Sequence, residues 1–268
     1  MTELKQLLVK AIKSEIGDEK DIAIFFSAGT DSLTCLFSCL ELNLKPKLYT
    51  FHLESYVSED AKMAKKIAKF FNLDLTTIVI KEDLEELKKD ITTLIKNFHI
   101  ENKIRMQILY PFPHMLKNIK EKIVLTGLSA DTLYGTNYHS KIHFLEDFTE
   151  ERRHALEEDE IDGYDALKKM VENHKKKLIA PYRNKDVIKY FMKFTWNELN
   201  KPIQKKHSVE AFKKYFELHE IYRQSSSLPI NSKIREWEEK LLDTDLNQLN
   251  RESIEELYHD ILIGKVKL

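Results

Sequence analysis

The chain has 268 residues, of which 42% are hydrophobic and 32% charged, which is enough for one large domain or two small ones with a substantial core. Its 43 basic and 44 acidic side chains leave a net charge of −1, and this balance argues against a general nucleic-acid binder. Two cysteines, Cys35 and Cys39, are too few for a disulfide scaffold. Their spacing on a predicted helix favours two buried small side chains over a redox pair.

The N-terminal residues alternate between charged and apolar at helical spacing, without the uninterrupted apolar run of a signal peptide. No stretch approaches the roughly 20 apolar residues that cross a membrane. We therefore expect a cytoplasmic protein with no membrane partner.

The first half of the chain predicts strands that alternate with helices. Apolar residues at helical spacing predict a helix over residues 3–16, which Gly17 ends. Short apolar runs predict strands over residues 21–26, 47–53, 76–80 and 122–126. Helical patterns between and after them cover residues 32–43, 58–71, 81–97 and 104–119, the last interrupted near Pro111 and Pro113. This alternation predicts an α/β fold with a parallel, twisted sheet flanked by helices.

From about residue 146 the pattern is helical, with almost no strand signal. We therefore divide the chain into an N-terminal helix over residues 1–18, an α/β core over residues 19–145 and a helical C-terminal region over residues 146–268. The apolar faces at residues 84–95 and 209–218 are interpreted as core, and a homodimer interface is the open alternative.

Two loops leave the carboxyl ends of predicted strands, at residues 27–32 and 127–131. Ligands of parallel sheets bind at that edge, so we expect the loops to form one site. The first loop reads Ser-Ala-Gly-Thr-Asp-Ser and leads into a helix. Its small residues let backbone N–H groups approach a phosphate, and the helix adds the positive end of its dipole. The loop contains no lysine, so transfer of a γ-phosphoryl group is not expected. A serine-capped helix after a buried strand is the alternative interpretation.

The hexapeptide resembles the Ser-Gly-Gly-x-Asp-Ser signature of the PP-loop ATP pyrophosphatase superfamily, whose fold is adenine nucleotide alpha-hydrolase-like, with Ala28 in place of the first glycine. The nearest resemblance is to the synthetase domain of asparagine synthetase and its β-lactam synthetase relatives. It covers, in pieces, about residues 20–225. Residues 126–135 resemble the second motif of that domain, and Pro181-Tyr182 resembles a later Pro-Phe-Leu-Asp segment.

The resemblance implies ATP and Mg²⁺ as cofactors. The residues implied to hold the pyrophosphate portion of ATP are Ser27, Ala28, Gly29, Thr30, Asp31 and Ser32. The residues implied to line the adenosine are Phe25, Phe51, Thr126 and Gly127. Asp31 and Asp131 would bind magnesium, because two carboxylates from two loops suit a cation that bridges phosphates.

The implied function is an ATP-dependent, AMP-forming synthetase. An acceptor carboxylate or carbonyl oxygen would attack the α-phosphorus, pyrophosphate would leave, and an amine or ammonia would then displace AMP. The partners are therefore a small-molecule acceptor and an amine or ammonia. The sequence begins Met1-Thr2 and has no room for a glutaminase domain, so we expect any ammonia to be free or delivered by a partner.

Three basic residues are further catalytic candidates. Arg105 belongs to a segment that resembles the element before the second motif. Lys205 lies in a basic stretch that could contact the leaving pyrophosphate or an anionic acceptor, with a solvated helix face as the alternative. Lys233 could replace the late lysine of the family, which is Ser225 here after Tyr222-Arg223-Gln224, if the chain folds back.

Departures from the family pattern leave two alternatives open. Leucine at position 128 cannot transfer a proton or donate a hydrogen bond, and Thr132 replaces an acid. Together with Ser225, these residues support an ATP-binding pseudoenzyme. The other alternative is a nucleobase- or tRNA-modifying PP-loop enzyme, in which nucleic acid is a partner, although this is not favoured. A metal site at His139 and His143 is a minor interpretation of their spacing.

Overall fold

A five-stranded parallel sheet forms the centre of the computed structural model, which describes residues 2–136, 147–158, 163–217, 228–239 and 253–265. The strands are β1 (Ile22–Phe25), β2 (Lys47–Leu53), β3 (Leu75–Ile80), β4 (Ile123–Leu125) and β5 (Lys177–Ile179). Their order is β3-β2-β1-β4-β5, and every neighbouring pair is parallel. The predicted α/β class, a parallel sheet flanked by helices, is confirmed.

Helices connect and cover these strands. In the first half they are α1 (Glu3–Ile16), α2 (Thr30–Glu41), α3 (Glu59–Phe71), α4 (Leu84–Phe98), α5 (Lys103–Leu109), α6 (Pro111–Leu116) and α7 (Ala130–Tyr134). In the second half they are α8 (Phe148–Glu158), α9 (Tyr164–Asn173), a 3₁₀ turn (Pro181–Arg183), α10 (Lys185–Phe191), α11 (Trp196–Asn200), α12 (Lys206–Ala211), α13 (Lys213–Glu217), α14 (Leu228–Asn231) and α15 (Ile254–Leu262). Residues 234–239 are also helical.

Local capping explains several helix ends. Gly17, with a φ of 59°, ends α1, since glycine adopts this left-handed conformation at low cost. The Ala61 N–H donates to Ser58 Oγ at 3.1 Å and starts α3. Pro111 begins α6, where its missing N–H would have had no helical partner. The end of α1 at Gly17 was predicted from the sequence.

Strand β5 was not predicted, because the second half of the chain shows almost no strand signal. It consists of three residues, of which only Leu178 and Ile179 are buried, too short a run to display a period. Its pairing with β4, in which Leu125 lies opposite Ile179, extends the sheet. The division of the chain into three regions stays a prediction.

The strand side chains divide between two cores. In β1, Ile22 and Ile24 pack on one face with α1 and α2, while Ala23 and Phe25 pack on the other with α4 and α6. Burial on both faces is the expected environment of a parallel strand and explains its unbroken apolar run.

The strand order creates a crevice between β1 and β4. The chain proceeds from β1 through β2 to β3 on one side of the sheet, whereas β4 and β5 lie on the other side of β1. Neighbouring strands whose connections leave in opposite directions open a ligand-binding crevice at their carboxyl ends. The two predicted loops begin at this point. In the described part of the chain, no helix is long and apolar enough to cross a membrane.

Candidate functional site

The first loop is a tight turn between β1 and α2. Buried Ala28 has a φ of 57°, a conformation that costs a non-glycine residue free energy. Ser27 Oγ accepts the Gly29 N–H at 3.2 Å and lies 3.3 Å from Ser32 Oγ. This geometry places the first amides of α2, which have no partner within the helix, at the carboxyl edge of the sheet.

The second loop packs directly against the first. A Cβ atom on Gly127 would lie 2.7 Å from both the carbonyl carbon and Cβ of Asp31, so only glycine fits there. The Thr126 N–H donates to Ile179 O at 3.0 Å, and Thr126 Oγ accepts the Leu128 N–H at 3.2 Å. The structure therefore brings together the two loops that the sequence predicted to converge.

A lysine from the second half of the chain joins the two loops. The Lys205 ammonium donates to Asp31 Oδ2 at 2.6 Å and lies 2.7 Å from Asp131 Oδ1. Thr136 Oγ also donates to Asp131 Oδ1. Lys205 itself has a φ of 57°, and its N–H donates to Asn200 Oδ1 at 3.1 Å. Of the predicted catalytic residues, these contacts bring Asp31, Asp131 and Lys205 together.

Burial dominates the electrostatics of this cluster. It raises the pKa of Asp31 to about 6, although Lys205 acts in the opposite direction. Burial alone would lower the pKa of Lys205, but Asp131 and Asp31 outweigh it, so that pKa lies above its ordinary value. At neutral pH the lysine is therefore charged and Asp31 is ionised. Asp31 Oδ1 is buried and accepts no hydrogen bond from the described residues.

These oxygens fit a magnesium-bound nucleotide. In the ranges that the structure describes, no three His, Cys, Asp or Glu side chains come together as a complete metal cage. A cation at Asp31 and Asp131 would therefore take other ligands from phosphates and water, which is the usual coordination of Mg²⁺ in nucleotide sites. The unpartnered Asp31 Oδ1 is a ready ligand for it.

A buried chain of hydroxyl groups fixes the elements around this cluster. Thr34 Oγ lies 2.6 Å from the Tyr182 hydroxyl, which lies 3.2 Å from Ser208 Oγ, and the Tyr134 hydroxyl lies 2.7 Å from the same serine oxygen. All four side chains are fully buried. They connect α2 and α7, which carry the two aspartates, with α12, which follows Lys205. Tyr134 and Tyr182 lie in segments that resembled the family, whereas Thr34 and Ser208 carry no local signal.

The predicted adenosine-lining aromatic residues lie on one side of the sheet. Phe25 and Phe51 are both buried in the core that contains α4 and α6. The Phe25 ring centroid lies 4.6 Å from that of Phe112. Thr126 is also buried. Their contact with adenosine stays a prediction.

The other two predicted basic residues, Arg105 and Lys233, contact different neighbours. The Arg105 stem packs near Gly163, where a Cβ would lie 3.0 Å from Arg105 Cγ. The Lys233 ammonium lies over the Tyr56 ring, 4.3 Å from its centroid, beyond the carboxyl end of β2. The chain thus folds back toward this edge of the sheet, which is the condition under which Lys233 could replace the late lysine of the family. Both catalytic roles stay predictions.

The family departures are only partly within the described ranges. Leu128 is half-buried and packs against the core, and Thr132 is buried. Ser225, the preceding Tyr222-Arg223-Gln224, and the pair His139 and His143 lie outside the described residues.

Two arginines that the sequence did not single out support the second loop. Arg183 Nε donates to Ser129 Oγ at 2.9 Å, which supports a serine with a φ of 71°. Arg152 is almost completely buried. It donates to backbone oxygens of Leu133, Phe191 and Phe194 at 2.8, 3.2 and 3.2 Å. Arg152 therefore connects the end of α7, which carries Asp131, to α10.

A buried carboxyl group outside this site joins three helical segments. Glu238 accepts hydrogen bonds from Gln107 on α5 and Tyr258 on α15. Burial raises the pKa of Glu238 to about 7. Its protonation is therefore linked to the packing of the C-terminal helices.

Comparisons with known proteins find a family model that covers more than half of the chain. The family model described as asparagine synthase matches residues 3–178. No curated protein matches the chain. Similar solved structures include a predicted tRNA methyltransferase subunit from Methanocaldococcus jannaschii (15% identity, 65% of this chain and 76% of that chain covered, TM-score 0.35). Others are the U34-tRNA thiolase NcsA from Methanococcus maripaludis (13%, 97% and 77%, 0.38) and NMN synthetase from Francisella tularensis (12%, 89% and 92%, 0.36).

Proposed function

Because the chain belongs to the asparagine synthase family of PP-loop ATP pyrophosphatases, we propose that it is an AMP-forming synthetase. It binds ATP with Mg²⁺ and adenylates the carboxylate or carbonyl oxygen of a small-molecule acceptor with release of pyrophosphate. An amine or ammonia then displaces AMP.

The observation that carries this proposal is the position of Asp31 and Asp131. They lie at the carboxyl ends of two adjacent parallel strands and share one buried ammonium group, at 2.6 and 2.7 Å. The N-terminus of α2 adjoins them. Negative oxygens, a buried cation and free helix amides in one crevice form a site that suits a polyphosphate and its metal ion.

The chemistry needs positioning and charge neutralisation more than a proton shuttle. The loop amides would orient the triphosphate so that the acceptor oxygen attacks the α-phosphorus. The bond from that phosphorus to the bridging oxygen breaks, and pyrophosphate keeps the electron pair. Magnesium held by the two carboxylates would neutralise phosphate charge, and Lys205 would stabilise the charge on the leaving pyrophosphate. Preorganised charges of this kind supply much of the rate enhancement in other enzymes.

The test uses ATP labelled on the α-phosphate, with Mg²⁺, a panel of amino acids and a small-molecule cell extract. Separation of AMP from ADP identifies the bond that is cleaved. We expect AMP from the wild-type protein and its loss in Asp31→Asn. Asp186→Asn is the matched control, because Asp186 is 59% exposed and pairs with Lys10 at the surface.

The outcomes separate the competing functions. ADP as the product, or undiminished AMP formation by Asp31→Asn, would reject the proposal. ATP binding without AMP under any acceptor would instead support a pseudoenzyme. AMP formation that requires an RNA or DNA fraction would support nucleobase modification, and its salt dependence would identify phosphate contacts.

A further inference from the structure

The Lys205 ammonium group bridges Asp31 Oδ2 and Asp131 Oδ1, as a metal ion bound to those two oxygens would. It is within 2.7 Å of an oxygen from each carboxylate. Mg²⁺ binds oxygen at about 2.0–2.1 Å, so an ion that bridged Asp31 Oδ2 and Asp131 Oδ1, the two oxygens that hold Lys205, would need the same space. The ammonium and the shared ion therefore exclude each other, and one must move before the other binds.

Charge favours the same exclusion. Two carboxylates and one ammonium leave a single negative charge in this cluster, in which 12% of the Lys205, 20% of the Asp31 and 60% of the Asp131 side chain is exposed. A divalent ion added beside the ammonium would make the cluster positive, and like charges a few ångströms apart repel each other. A polyphosphate would restore a negative net charge to the site. Its oxygens can accept hydrogen bonds from the ammonium group and also bind the metal ion.

The backbone around Lys205 limits where its side chain can go. Its left-handed conformation is supported by the hydrogen bond to Asn200, and the neighbouring hydroxyl chain anchors α12. The ammonium group can therefore move by rotation of its own side chain, while its backbone stays at the crevice. A phosphate in the crevice would be a new partner for it.

We propose that the Lys205 ammonium group prevents a divalent metal ion from binding to the Asp31–Asp131 pair until a polyphosphate binds. The phosphate oxygens then accept the hydrogen bonds of the ammonium group in place of the two carboxylates. Metal binding at this pair is then dependent on nucleotide. The polyphosphate step rests on the proposed function, whereas the exclusion of metal by the lysine can be tested without nucleotide.

The experiment measures Mn²⁺ binding by the loss of the free-ion electron paramagnetic resonance signal. It compares the full-length wild type with Lys205→Met and with Lys206→Met, each alone and with α,β-methylene ATP, an analogue that resists cleavage. Lys206 is the matched control because it is adjacent in sequence and pairs with Glu210 instead of the two aspartates. Lys205→Gln removes the same charge and serves in place of Lys205→Met if that variant does not fold.

We expect wild type and Lys206→Met to bind Mn²⁺ weakly alone and tightly with the analogue. Lys205→Met should bind Mn²⁺ at least about tenfold more tightly than wild type without nucleotide, because removal of an adjacent like charge exceeds the free energy of one factor of ten. Its melting temperature should also rise with Mn²⁺. Addition of Asp131→Asn to Lys205→Met should abolish that gain and so identify the pair as the metal site.

Equal Mn²⁺ affinities for wild type and Lys205→Met without nucleotide would overturn the proposal, as would tight Mn²⁺ binding by wild type alone. Absence of AMP formation would count against the proposed function only. In that case, a tenfold difference between the two proteins without nucleotide would still support the exclusion of metal by Lys205.

Discussion

Substitution of Gly127 by alanine tests whether the contact between the two loops sets the geometry of the site. The added Cβ would lie 2.7 Å from two carbon atoms of Asp31 and 2.9 Å from its carbonyl oxygen. Carbon atoms in contact prefer about 3.5–4.0 Å, so the loops must separate by roughly 0.8 Å or more. Two of the three atoms belong to the Asp31 backbone and cannot rotate away.

This separation predicts a larger effect on activity than on stability. Overpacking of this kind costs about 1–3 kcal/mol of unfolding free energy. A displacement of about 1 Å at a positioned catalytic group can lower the rate about 100-fold. Because Asp31 would move relative to Asp131 and Lys205, we expect kcat/KM for AMP formation to fall about 100-fold in a protein that still folds.

The assay combines the rate of AMP formation with thermal unfolding. Gly17→Ala is the control, because a Cβ there would meet no atom within 4 Å, although the φ of Gly17 is 59°. It should lose about 1 kcal/mol from backbone strain and keep its activity. A Gly127→Ala protein with kcat/KM within twofold of wild type would refute the reasoning.

Three further predictions concern buried charges. Because burial raises the pKa of Asp31 to about 6, kcat/KM should fall about tenfold per pH unit below that value; a flat profile down to pH 5 would contradict this. Glu238 has a pKa of about 7 in the folded protein, above its ordinary value, so its contribution to stability is present below pH 4.5 and is lost as pH rises toward 7. Glu238→Gln should therefore stabilise the protein at pH 8 by up to about 3 kcal/mol, as measured by urea unfolding. The control is Glu239→Gln, at the neighbouring and more exposed side chain, which should not stabilise the protein. Arg152→Met leaves buried backbone oxygens without donors and should cost about 3 kcal/mol of unfolding free energy. Arg153→Met, at a half-exposed side chain, should change it by less than about 1 kcal/mol, and equal losses in the two variants would contradict the role of Arg152.

Local patterns in the sequence were sufficient to predict most of the sheet. Strands β1 to β4 and the helices between them follow from apolar periodicity, because each buries a face whose spacing is visible within a few residues. The loops after β1 and β4 were predicted to meet for a general reason, namely that parallel strands end at one edge. Their contact through Gly127 and Asp31 agrees with this.

The role of Lys205 in the cluster was only partly visible. It was one of several lysines in a basic stretch, and no local pattern distinguishes it from Lys206. The structure separates them, because Lys205 reaches Asp31, 174 residues away in sequence, while Lys206 pairs with Glu210 one turn along its own helix. Only the fold decides which of two adjacent cations is buried.

The sequence by itself determined the fold class, the two loops and the aspartates within them, because these depend on residues close together in the chain. The tertiary structure decided what depends on distant partners. Strand β5 exists through its pairing with β4, and Arg152 and Glu238 are buried only because other helices supply their hydrogen-bond partners. A short strand and a polar side chain have no periodicity of their own, so packing alone determines where they lie.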